Sequence, residues 1–225
     1  MDAIVLSPEL LAKWYLVAVI TLIPLVNPFS TVPLLLSLTR GMSAEERLSQ
    51  ATRAAIYSAI LMQGTLLIGS GVLVFFNISV PALRIAGGLI VAFLGFQMLF
   101  PAPRRESIEA SEQSPGGRVD HALIPLAFPS LCGAGTMALL ISYSSTIGAA
   151  NAGAIVTLSA HGVLTLAIIT VAFLAGWLLR SANAVATRLG QSGMEAIERI
   201  MGLLMVGIGV QFIATGVREF ASLPL

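Results

Sequence analysis

The sequence predicts an all-α protein that crosses a membrane several times, and three observations carry the prediction. Apolar residues make up 56% of the 225 residues and charged residues only 10%, where a soluble domain holds about 25% charged residues. Mean hydropathy is +0.92. The uncharged stretches are long, and a helix needs about 20 residues to cross about 30 Å of hydrocarbon. The alternating ten-residue segments of a membrane β-barrel are absent. Six spans follow, at roughly 14–38, 54–76, 85–100 (led in by 79–83), 122–147, 153–179 and 197–217.

The first span lacks a basic start and a small-x-small cleavage site, so it reads as a retained helix and not as a signal peptide. It carries Leu22-Ile23-Pro24-Leu25 and then Pro28. Proline inside a helix removes a hydrogen bond and clashes with the preceding turn. A break is therefore expected across Asn27-Pro28-Phe29-Ser30-Thr31. Asn27 precedes a proline and is biased out of the α region. Ser30 or Thr31 then caps a new half-helix, with Pro33 in its first turn.

The second span is uninterrupted. The third opens at Arg84-Ile85-Ala86-Gly87, where Arg84 is read as snorkelling or ion-paired, and its Gly88, Ala92 and Gly95 suit close helix contact. Residues 101–121, with three prolines, Gly116 and Gly117, form a polar linker between the halves 1–100 and 122–225. The fourth span follows an interfacial Asp120-His121 and repeats the earlier motif as Leu123-Ile124-Pro125-Leu126, with Pro129 at the matching position. Its break is expected across Pro129, Gly133, Ala134, Gly135 and Thr136: two glycines relax the backbone and Thr136 caps the helix that follows. The fifth span holds His161, which either titrates in a site or hydrogen-bonds a neighbour. The sixth opens at Arg199-Ile200-Met201-Gly202, near Glu195 and Glu198, and carries Gly207 and Gly209 as further small residues.

The matched first and fourth spans, and the matched openings of the third and sixth, indicate a duplication. Three spans per copy force the second copy into the membrane from the opposite side. The expected architecture is thus two inverted three-helix repeats with broken first and fourth helices, a layout that commonly puts substrate between the copies at the midplane. Charge sets the orientation. Arg40, Arg47, Arg53, Arg104, Arg105, Arg118, Arg180, Arg188 and Arg199 follow the first, third and fifth spans, against Lys13, Arg84 and Arg218 on the other side. The positive-inside rule puts both termini outside, in the periplasm.

The spans themselves are nearly free of ionisable side chains, which argues against a strongly charged substrate or a carboxylate relay. Broken helices offer N–H groups to a carboxylate and carbonyls to an ammonium, so a small zwitterion is the favoured guest. A kink repaired by neighbouring helices is the structural alternative. The single cysteine, Cys132, excludes an internal disulfide and a cysteine metal cluster. No cofactor or metal is expected. The scattered arginines form no nucleic-acid footprint, and no HExxH pair or defensible serine–histidine set points to an enzyme.

Several motifs together resemble the MarC family of bacterial and archaeal inner-membrane proteins: Asn27-Pro28-Phe29, Leu83-Arg84-Ile85-Ala86-Gly87-Gly88-Leu89, Pro125-Leu126-Ala127 with Pro129, and Val210-Gln211-Phe212-Ile213. The resemblance implies a multi-pass inner-membrane protein. Some members are described as transporters of neutral amino acids such as glycine and alanine. It therefore implies a small neutral amino acid as substrate; apart from the resemblance, a coupling ion, H+ or Na+, is an expected partner. By motif, Asn27, Pro28, Phe29, Ser30 and Thr31 would line one break. Pro129, Gly133, Ala134, Gly135 and Thr136 would line the other, with Ala134 where the family usually has proline. A gated pore or an efflux protein for other small solutes is the competing expectation.

Overall fold

A computed structural model describes residues 7–101, 120–149 and 153–222; most of the expected linker, 102–119, lies outside the described residues. The described chain is helical: α1 (Pro8–Val26), α2 (Pro28–Leu38), α3 (Ala44–Phe75), α4 (Val80–Leu99), α5 (Ala122–Leu131), α6 (Ala134–Ala149), α7 (Ala154–Arg180) and α8 (Ala182–Ala221). Five segments are long and apolar enough to cross a membrane, with Pro8–Leu38 counting as one of them. The α5–α6 pair, bent by 65°, makes a sixth if taken as one broken span.

Several helices overrun the apolar runs that reveal them. Capping explains one end: Ser43 Oγ accepts from Glu46 N–H at 3.2 Å while Glu46 Oε2 accepts from Ser43 N–H at 2.9 Å, a reciprocal box that starts α3 ten residues before its apolar stretch. Ser7 and Ser79 cap α1 and α4 with one-way bonds, accepting from Leu10 N–H and Ala82 N–H. Helix α8 begins at Ala182, not near residue 197, and bends at Gly190, whose φ of 61° and ψ of −178° suit glycine almost alone. A hydropathy run marks where a helix meets lipid. It does not mark where the backbone stops being helical.

The tightest seam joins α4 and α8. A Cβ on Gly88 would lie 2.6 Å from the Gly209 carbonyl oxygen, and one on Gly95 would lie 2.6 Å from that of Gly202. Both pairs are spaced by seven residues and run antiparallel, so the two backbones touch directly. Gly207 is not part of this contact, contrary to expectation: nothing lies within 4 Å of where its Cβ would be. Away from this seam, α1 and α2 pack chiefly on α7 and α8, α5 and α6 pack on α3 and α4, and α3 packs on α7. Each half therefore buries its helices mainly against the other. Leu22, Val26, Leu66, Leu126 and Leu139 are wholly buried between them, while Ile20, Leu67, Leu158 and Phe173 face outward, as a lipid-facing surface requires.

Three arginines tie one end of the bundle together. Arg47 donates to Thr39 Oγ1 at 2.9 Å and to Asn183 Oδ1 at 3.0 Å. Arg53 pairs with Asp120 at 2.6 Å, and Arg180 donates to Thr52 Oγ1 at 3.0 Å. The segments after the first, third and fifth spans thus gather at one face.

The α4–α8 seam yields a direct test. Gly95→Leu should lower stability by about 1–3 kcal/mol or more, since the backbone opposite cannot move aside as a flexible side chain could. Gly64→Leu, where nothing lies within 4 Å, should leave it nearly unchanged. Thermal unfolding of both variants in detergent reads the difference.

Candidate functional site

The first break is made by one residue. Asn27 adopts the left-handed conformation, φ 42° and ψ 64°, which asparagine tolerates better than most residues. Its N–H donates to Ile23 carbonyl oxygen at 3.0 Å, closing α1. Its Oδ1 accepts from Ser30 N–H at 3.4 Å, opening α2. The expected caps, Ser30 and Thr31, instead lie within α2 and donate their hydroxyls back to the Asn27 carbonyl, at 3.0 and 3.4 Å. Asn27 wins because its short amide reaches forward from outside the helix. Pro28 takes the first helical position, and Pro33 lies inside α2, beyond the first turn expected for it. Pro24 is buried within α1 and does not end it.

The second copy of the motif folds differently. Asp120 Oδ1 accepts from Ala122 N–H at 3.1 Å and Gln50 Oε1 from His121 N–H at 3.0 Å, so the expected interfacial pair anchors the start of α5 on α3. Helix α5 is widened, with i→i+5 bonds from Leu126 N–H to His121 at 3.2 Å and from Cys132 N–H to Ala127 at 2.8 Å. Ile124 and Phe128, each before a proline, are extended, as a following proline favours; both peptide bonds into these prolines are cis. Identical tetrapeptides thus give a regular helix in one half and a widened one in the other, so tertiary surroundings decide.

Helix α6 starts at Ala134, with Gly133 carbonyl oxygen accepting from Met137 N–H at 3.1 Å. Thr136 lies in its first turn and is not the cap. The glycines also act otherwise than expected: neither Gly133 nor Gly135 has a positive φ. Space is what they supply. A Cβ on Gly135 would lie 2.5 Å from Val91 Cγ2 and 3.6 Å from Leu25 Cδ2, and one on Gly133 would lie 3.0 Å from Pro129 carbonyl oxygen.

The two breaks meet. Thr31 Oγ1 and Ser130 Oγ lie 2.7 Å apart and share a hydrogen bond across them. Asn27, Thr31 and Thr136 are buried, Phe29 and Ser30 half-buried, while Pro129 and Ala134 are exposed and not enclosed with the rest. Asn27 Nδ2 contacts Met98 Sδ at 3.3 Å. Ser130 is the contact that the motif reading left out of the site; a hydroxyl beside a break proline was its only signal.

The Thr136 hydroxyl is buried without a hydrogen-bond partner. Elsewhere, Thr21, Thr39, Thr65, Thr146 and Thr170 donate to the carbonyl four residues back. For Thr136 that carbonyl belongs to Cys132, whose φ of −111° and ψ of 76° turn it out of the helix. The break itself creates the orphan. It sits where the first-turn N–H groups of α6 have no intrahelical acceptor.

Other expected residues stand apart. His161 Nδ1 contacts the Thr157 carbonyl oxygen of its own helix at 2.9 Å. Arg84 pairs with Glu219 and donates to Ser142 and Thr146, so its ion-paired reading holds, while Arg199 is exposed. Cys132 is wholly buried. No group of three His, Cys, Asp or Glu among the described residues could hold a metal. A cavity of about 520 Å³, lined by Leu10, Lys13, Trp14, Tyr143 and Thr146 among others, lies between α1, α6 and α7 and does not include the break residues.

The two buried threonines should behave oppositely. Thr136→Val removes a hydroxyl that has no partner, and stability should hold or rise by about 1 kcal/mol. Thr31→Val removes a made bond and should cost roughly 0.5–1.5 kcal/mol. Thermal unfolding in detergent measures both.

Comparison with known proteins agrees with the membrane-spanning character of the helices. No solved structure matches this chain. The inner membrane protein MarC of Citrobacter koseri is 42% identical over 209 residues, covering 89% of this chain and 92% of that protein. Its counterpart in Escherichia coli is 40% identical over 207 residues, with the same coverage. The profile of the MarC family integral membrane protein matches residues 12–221. The chain belongs to the MarC family, as a multi-pass protein of the inner membrane.

Proposed function

We propose that this protein is a secondary transporter of small neutral amino acids, of the glycine, alanine or serine type, working by alternating access. The observation that carries the reading is the meeting of the two breaks: Thr31 bonded to Ser130, beside a buried Thr136 hydroxyl without a partner. The named side chains around the breaks are uncharged: hydroxyl, amide, thioether, thiol, aromatic and aliphatic. In this reading the first-turn N–H groups of α6 and the Thr136 hydroxyl take the carboxylate. The carbonyls that end α1 take the ammonium, and Asn27 and Thr31 fix orientation. Leu25, Val91 and Met98 crowd the space, so only a small side chain is admitted.

The reading includes two inverted three-helix repeats with both termini in the periplasm. Reciprocal packing supports it, since each first span lies on the second and third spans of the other half. Clustering of Arg47, Arg53 and Arg180 at one face supports the orientation. We assign the protein no catalytic step and no cofactor, and take H+ or Na+ as the coupling ion.

Purified protein in liposomes should accumulate labelled glycine, alanine or serine under an imposed H+ or Na+ gradient, and failure with all three sinks the proposal. Single-channel current instead of saturable uptake would favour a gated pore. Gly135→Leu, which drives a side chain into Val91, should cut uptake more than about tenfold, equivalent to about 1.4 kcal/mol. Unchanged uptake would remove the α6 break from the site.

A further inference from the structure

We infer that Arg84, with Ser142, Thr146 and Glu219, is the latch of a gate that closes one face of the protein over the helix breaks. The starting point is that an arginine within a membrane helix is costly and is placed there for a purpose. The Arg84 side chain is only 14% exposed. Its guanidinium is used on three sides: Nε donates to Ser142 Oγ at 2.7 Å, Nη2 donates to Thr146 Oγ1 at 2.7 Å, and Nη1 pairs with Glu219 Oε1. One side chain of α4 thus holds both α6 and α8.

What lies beneath the latch gives it direction. Helices α4 and α6 run antiparallel, and their contacts form a ladder that leads from Arg84 to the second break. Arg84 meets Ser142 on the first rung. A Cβ on Gly87 would lie 2.5 Å from Ala138 Cβ on the next, and one on Gly135 would lie 2.5 Å from Val91 Cγ2 on the last. From Arg84 to Val91 is about 10 Å of helix, and the bottom rung is a residue of the break itself. Below Arg84 these rungs are small and apolar. In lipid no hydrophobic force drives helices together, so these rungs hold by van der Waals packing alone. The polar cluster at the top is therefore the strongest tie of the α4–α6 seam, and releasing it frees the seam down to Gly135. The α4–α8 seam differs, because its glycine pairs bring backbone onto backbone along the helix.

At the opposite face Arg47, Arg53 and Arg180 cross between other helices, and none of their bonds reaches α4 or α6. Arg199, where the apolar run of α8 begins, is exposed. The described conformation is closed on the Arg84 side. Glu219 is the latch residue best placed to let go, because its side chain is 36% exposed.

The chain carries its own reporter. Cys132 is the only cysteine, lies in the second break and is wholly buried. A membrane-impermeant methanethiosulfonate should label it very slowly from either face of the reconstituted wild-type protein. Arg84→Gln and Glu219→Gln should each speed labelling about tenfold from the Arg84 face alone, corresponding to about 1.4 kcal/mol taken from the closed state. The exchanged pair, Arg84→Glu with Glu219→Arg, should return the rate toward wild type, since it restores the ion pair between α4 and α8 and the Ser142 hydroxyl can turn to donate. Wild-type rates in the single variants overturn the inference. Equal labelling from both faces, together with a lower unfolding temperature, also overturns it by making the cluster a strut of the fold. If Arg84→Gln does not fold, Glu219→Gln and Ser142→Ala carry the same comparison. The latch rests on the transport reading only for its purpose. Labelling needs no substrate, so loss of the transport reading and loss of the latch are separate outcomes.

Discussion

Within hydrocarbon no water is at hand for a backbone N–H or carbonyl, so every polar group must find its partner inside the protein. Most of this fold is a consequence. Regular helices satisfy the requirement locally, and threonine hydroxyls follow suit by donating to the carbonyl one turn back. The two breaks are where local satisfaction fails, and each is repaired by a different device. Asn27 repairs the first with its own backbone and side chain, serving α1 and α2 at once. The second is spread over ten residues of widened helix, and it leaves the Thr136 hydroxyl without an acceptor. Bringing the breaks together lets Thr31 and Ser130 satisfy each other across the two halves.

Between helices the governing quantity is distance, because the hydrophobic effect does not drive association in lipid. Glycine therefore carries the packing. Gly88 with Gly209 and Gly95 with Gly202 let α4 and α8 meet along their backbones. Gly87 and Gly135 instead make room for the Ala138 and Val91 side chains between α4 and α6. A rigid α4–α8 pair beside a looser α4–α6 seam is the combination from which one moving boundary can be built. Charged residues then work at the ends. Arg47, Arg53 and Arg180 bind one face across several helices, and Arg84 gathers three helices at its own position.

Much of this was legible in the residues. Length and apolarity give the spans, Asn27-Pro28 gives the first break, and the glycine faces give the α4–α8 seam, apart from Gly207. The misreadings have physical causes. Ser30 and Thr31 look like caps by residue type, yet Asn27 tolerates a left-handed backbone and reaches the next turn first. Gly133 and Gly135 look like backbone hinges, whereas the Pro129 carbonyl and the Val91 side chain crowd the space a Cβ would need. Helices α3 and α8 extend past their apolar stretches because capping and helix-forming polar residues continue them outside the lipid.

By itself, then, the sequence determined the class of the protein, its spans and the two places where helices are interrupted. Those properties follow from local chemistry: transfer of side chains into lipid, and the geometry that proline and asparagine impose. Tertiary structure alone decided that Leu22-Ile23-Pro24-Leu25 stays a regular helix while Leu123-Ile124-Pro125-Leu126 widens. It alone brought Thr31 to Ser130, left Thr136 without a partner and set Arg84 among Ser142, Thr146 and Glu219. These outcomes depend on which helix lies against which, and the same four residues cannot specify two different neighbourhoods.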